Sequence, residues 1–213
     1  MQGFDSKILS DELPAPLRLA VAYAPARARG AWTALLVLDR RLGRVALAAG
    51  EPVLAQIRLA WWRDRFAEPA SAWPLGEPLL AALHGWDGGR AALERLVDGW
   101  EGLVGVELDR AAIPACAEAR VAALVALDRL TGGSSAEAVT TVARSWALAD
   151  LTQRLGEEPA FAARHSIRLP RAHSIRLPRA MRPLVVLDGL ARPGGASGWR
   201  ALGRMIRLGM LGR

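Results

Sequence analysis

Cysteine occurs once in the 213 residues, as Cys116, so no disulfide can close within the chain. That usage suits a reducing compartment. Cys116 lies between Ala115 and Ala117, a setting for a buried, inert thiol. Tyrosine occurs once and phenylalanine three times, too few to furnish the inner faces of a β-sandwich. The three histidines form no Cys/His set with metal-ligand spacing, and no Gly-x-Ser-x-Gly elbow is present for a serine nucleophile. No apolar run reaches the ~18 residues of a spanning helix. The opening MQGFDSKILSDELP carries acids where a secretory signal would carry a continuous apolar stretch. A cytoplasmic protein is expected, peripheral at most to the inner face of a membrane.

What is abundant is small and aliphatic. Apolar residues make up 52%, mostly Ala, Leu and Val, and Ala and Leu favour helices. Residues 1–13 read as a loose polar leader and 14–213 as one helical domain. Within it, apolar positions recur every three or four residues. The stretch 31–49 reads as a long helix closed by Gly50, and Pro52 opens the next, which Pro69 ends. A short helix follows near PLLAALHGW, then one over AALERLVDGWEGLVG after Gly88 and Gly89. Pro114 opens another that stops at Gly132 and Gly133, and Ser134 or Ser135 caps a helix over 136–155. No segment alternates with the period of a strand. The fold class is all-α.

Twenty-eight basic residues against 21 acidic give +7, and every basic residue except Lys7 is arginine. The arginines are dispersed along the chain and do not cluster with aromatics, so no nucleic-acid partner is expected. The octapeptide HSIRLPRA occurs twice in tandem, at 165–172 and 173–180. Pro170 and Pro178 keep it out of a helix, and the repeat reads as a duplicated loop. The last segment, GWRALGRMIRLGMLGR, separates Arg200, Arg204 and Arg207 from Leu202, Met205, Ile206 and Met210 when drawn as a helix.

Three ordered stretches carry a resemblance to a known family: AYAPARARGAWTALLVLDRRLGRV (22–45), QIRLAWWRDRF (56–66) and SWALADLTQRLGEEPAFAARHSIRLP (145–170). Together they resemble the squalene/phytoene synthases. The WWRD segment is more similar to a non-catalytic branch that assists assembly of respiratory complex I. The resemblance implies an isoprenoid-synthase-like helical bundle, truncated at the C-terminus. In active members, two helices each present carboxylates at i and i+4, one face of a helix, to hold Mg²⁺ against prenyl diphosphates.

At the matching positions this chain departs from that pattern. Asp39 has Gly43 at i+4, with Arg40 and Arg41 between, and Asp150 has Arg154 at i+4. Each site keeps one acid, and both gain positive charge. Guanidinium groups can hold a diphosphate but not a divalent cation. Asp39 and Asp150 therefore read as vestigial. Arg40, Arg41, Arg58, Trp61, Trp62, Arg63 and Arg154 are candidates for contacting a substrate or partner. No cofactor is expected, Mg²⁺ entering only with an active prenyltransferase. The expected partner is a membrane-associated protein complex or a prenyl lipid.

Overall fold

A computed structural model of the chain describes residues 2–48, 50–74, 76–105, 111–155 and 175–191. Among the described residues the architecture is all-α, with no strand. No helix among them is long and apolar enough to cross a membrane.

The amino-terminal segment corrects the expectation of a loose leader. It forms α1 (Gln2–Glu12), which packs on α3 (Ala26–Ala46) and α5 (Pro78–Leu83). The polar composition hid two anchors, Leu9 and Leu13, both almost wholly buried. Glu12 adds a third, taking a two-pronged ion pair from Arg41 at 3.0 and 2.6 Å. Tertiary contacts have overridden a weak local preference.

Prolines punctuate the next three helices. Pro14 precedes α2 (Ala15–Ala22) and Pro25 precedes α3, so α3 starts five residues before the expected Ala31. It ends at Ala46, where the Leu47 N–H donates to the Gly43 carbonyl. Pro52 opens α4 (Pro52–Ala67) as expected, its missing N–H being one no helix start can use.

Trp86 is buried in a 3-10 stretch over His84–Gly89 that leads into α6 (Arg90–Glu101). Helix α7 (Ala112–Leu130) begins two residues before Pro114, which sits harmlessly in the first turn. The turn into α8 (Ala136–Leu155) is built on Asp128. Its carboxylate accepts from the Ser135 N–H at 3.0 Å, and a Cβ at Gly133 would collide with it. The Ser135 carbonyl takes the first bond of α8, from the Val139 N–H.

The second octapeptide copy is integrated into the body from Ile175 onward. Leu177 and Ala180 are buried, and the Trp32 indole N–H donates to the Ala180 carbonyl at 2.8 Å. Helix α9 (Arg182–Leu190) follows with Pro183 in its first turn, a start signal present in the sequence but not read there. The first copy, 165–172, and the expected C-terminal helix, 198–213, lie outside the described residues.

Helix α7 lies between α6 and α8, its two most extensive neighbours. Helix α4 covers the far side of α6, while α9 joins α8 to α2. Helix α3 crosses this layer, touching α4, α6 and α7. Its middle therefore faces the place where α6, α7 and α8 come together, and Asp39 is in that middle.

Candidate functional site: a buried carboxylate–guanidinium cluster

Asp39 is 3% exposed, and four hydrogen bonds fill its carboxylate. Oδ1 accepts from the Trp100 indole N–H at 3.0 Å and from Arg120 Nε at 2.9 Å. Oδ2 accepts from Arg120 Nη2 at 2.9 Å and from Arg154 Nη2 at 3.3 Å. A carboxylate offers about four lone-pair positions, so nothing is left over.

Arg120, 1% exposed, is the centre of the cluster. Besides gripping Asp39 through two bonds, it donates from Nη2 to Asp150 Oδ2 at 2.6 Å and from Nη1 to the Ala147 carbonyl at 3.1 Å. Its guanidinium lies 4.1 Å from the Trp146 ring centre and 5.5 Å from that of Trp100. Arg154 completes the set, with Nε 2.8 Å from Asp150 Oδ2 and its guanidinium 5.3 Å from the Trp100 ring. Two carboxylates meet two guanidiniums, so the buried charges balance. Aromatic faces further favour the cations.

The electrostatics follow from this geometry. Burial alone would raise the Asp39 carboxyl, but Arg120 and then Arg154 outweigh it and hold the group below the usual carboxylate range. Burial works against the charge on Arg120 too, and Asp39 and Asp150 together more than restore it. Arg40 is drawn down, first by partial burial and then by its neighbour Arg154.

Asp39 and Asp150 meet across two helices through the guanidinium of Arg120. Magnesium does not fit this donor set. It would need carboxylate lone pairs already committed to N–H donors, at a place already occupied by positive charge. Gly43 fits the same arrangement: a Cβ there would lie 2.8 Å from Arg154 Nη1 and 3.0 Å from the Trp100 ring edge. An acid at that position would displace both. The void beside Asp39, lined by Leu35, Leu36, Leu96, Leu124 and Trp146 among others, is about 10 Å³. That is at most one water's worth of space.

Arg154 alone of the cluster also lines a hollow of about 510 Å³, bounded by Ala46, Leu47, Pro52, Ala55, Leu103 and Leu155. A separate groove of about 460 Å³ runs between α3 and α4, lined by Arg41, Arg44, Val45, Ala48, Arg58, Trp61 and Trp62.

The remaining candidates divide. Arg41 is committed to Glu12 and, at 2.8 Å, to Glu77. Arg63 clamps α4 to α6 through Asp98 at 2.7 Å and through Glu101. These two arginines are structural ties. Trp62 is buried and stacks on Phe66, while Trp61 is exposed and meets Trp62 edge-on. Arg58 is exposed. Sequence reasoning missed Arg120, although a signal existed. Arg120 shares the helical face of Ile113, Cys116, Ala117, Leu124 and Leu127, all buried, and an arginine so placed requires buried acids.

No family model, curated protein or solved structure matches the chain.

Proposed function

We propose that the chain is a squalene/phytoene-synthase-like protein that has given up Mg²⁺-dependent prenyl transfer and acts by binding. Its targets are a membrane-associated protein complex under assembly or a prenyl lipid, at the inner face of a membrane. One observation carries the reading. Arg120 stands between Asp39 and Asp150, where the resemblance would call for a divalent cation. Prenyl-diphosphate ionisation requires a cation that neutralises the leaving group. Here the carboxylates that would hold it neutralise arginines.

The near-solid packing beside Asp39 supports the same conclusion, since a prenyl chain has no room there. The hollow lined by Arg154 and aliphatic side chains favours the lipid arm, because it pairs one cation with apolar walls. Incubation with farnesyl or geranylgeranyl diphosphate and Mg²⁺ is expected to release no pyrophosphate. Calorimetry without Mg²⁺ then separates the arms: heat of binding that Arg154→Ala abolishes marks a prenyl-lipid site. Magnesium-dependent release of pyrophosphate would overturn the proposal and restore an active prenyltransferase.

A further inference from the structure

Helix α4 is apolar on two sides, and only one of them is covered. Leu59, Trp62 and Phe66 face the body and are buried. On the other side, Val53, Leu54, Ile57 and Trp61 are 61, 50, 60 and 41% exposed. At 100° per residue these four positions span one arc of about 100°, the width of a helical apolar stripe. Ile8 and Leu130 are the other large apolar residues exposed to this degree among the described residues, and each stands on a different helix. Single exposed apolar side chains need no explanation, but four on one arc within nine residues do.

The arc is bordered by cations. Arg58 lies on the flank of the arc, about 40° beyond Leu54, exposed and without an ion-pair partner among the described residues. Across the groove from it, Arg44 reaches out from α3, 66% exposed and only 3.7 Å from its nearest partner, Glu12. Glu51 precedes the first turn, and Asp64, exposed, falls on the same arc one turn beyond Trp61.

We propose that this face of α4 docks on an anionic lipid bilayer, with Val53, Ile57 and Trp61 entering the headgroup boundary and Arg58 and Arg44 meeting lipid phosphates. Three features select this occupant. Indole rings favour the membrane–water boundary, where one edge is apolar and the other wet. Guanidiniums bind phosphate through paired hydrogen bonds, and the groove brings two of them beside the indoles. The patch is also small. A stable protein interface takes some 20–30 residues a side, whereas shallow insertion needs a short apolar stripe with adjacent cations. A second copy packed antiparallel on the stripe would bring two Arg58 side chains together near Ile57, a like-charge contact. The docking face is independent of whether the Asp39 cluster ever served catalysis.

The full chain carrying Ile57→Cys, labelled with an environment-sensitive fluorophore, tests the site directly. Cys116 stays unlabelled because it is buried, its thiol pushed up to about 12 chiefly by that burial. With vesicles of phosphatidylcholine containing one part in about three of phosphatidylglycerol, the label is expected to brighten and shift to the blue. A label at Leu130→Cys stays in water. Co-sedimentation gives the magnitudes: Arg58→Ser lowers partitioning about fivefold, and Trp61→Glu lowers it more. Three results would overturn the proposal. The label at 57 stays in water, whether or not the protein sediments with vesicles; it responds equally to pure phosphatidylcholine; or it is already shielded in a dimer before lipid is added.

Discussion

The centre of the bundle and the outer face of α4 invert the ordinary distribution of residues. In the centre, Asp39 and Arg120 are ionised and nearly inaccessible. On the outer face, Val53, Leu54, Ile57 and Trp61 meet water. The two anomalies differ in how completely they are compensated. Every oxygen of Asp39 has partners, and Arg120 is held by two carboxylates, a carbonyl and two indoles. Among the described residues the apolar arc has no such compensation. A satisfied buried charge is a structural solution to a position the fold has inherited or requires. An uncovered apolar stripe is a surface awaiting an occupant.

Breaking the inner cluster should have the largest effect. Arg120→Ala leaves Asp39 and Asp150 to share the single guanidinium of Arg154, and the expected loss is about 3–5 kcal/mol in a urea unfolding series. Replacing both Asp39 and Arg120 by leucine should recover most of that loss, since an apolar pair carries no desolvation penalty. A loss under about 1 kcal/mol for Arg120→Ala would mean that water enters the cluster. Trp100→Phe removes one donor to a charged acceptor while keeping most of the ring, and should cost about 1.5–3 kcal/mol.

Acid should reach the inner cluster before it affects the outer face. The folded Asp39 titrates below its unfolded value, so between the two the unfolded chain binds more protons. Its contribution is therefore complete above about pH 4 and is lost as pH falls further, through the folded value. Glu12, lowered first by its hydrogen bonds from Arg41, adds in the same direction at the α1–α3 contact. Melting temperatures of Asp39→Asn should fall less steeply below pH 4 than those of the parent chain. A parallel fall in both would exclude Asp39 as the titrating group.

The outer face should contribute least to stability. Ile57→Glu is expected to change unfolding free energy by less than about 0.5 kcal/mol, measured without lipid, because its side chain is 60% exposed. Destabilisation beyond that would show that the arc is covered in solution.

The helical class and most helix limits were legible because Pro52 and Pro69, and the glycines at 132 and 133, act locally on the backbone. The absence of an acid at i+4 from Asp39 and from Asp150 was equally legible, since i and i+4 share a helical face whatever the surroundings. Helix α1 was not legible: its preference is weak, and Leu9, Leu13 and Glu12 gain their partners from segments remote in sequence. Trp61 and Trp62 show the same limit side by side. Adjacent and identical, they part into exposed and buried only because α6 covers one flank of α4.

By itself, then, the sequence determined that this chain is helical, where most of its helices break, and that neither Asp39 nor Asp150 has an acid at i+4. Those properties depend on backbone chemistry and on spacing along one helix. Only the tertiary structure decided that Arg120, 81 residues from Asp39, is the cation between Asp39 and Asp150, and that Val53, Ile57 and Trp61 remain outside. Ion pairing and burial depend on which helices meet, and that is fixed by the packing of the whole chain.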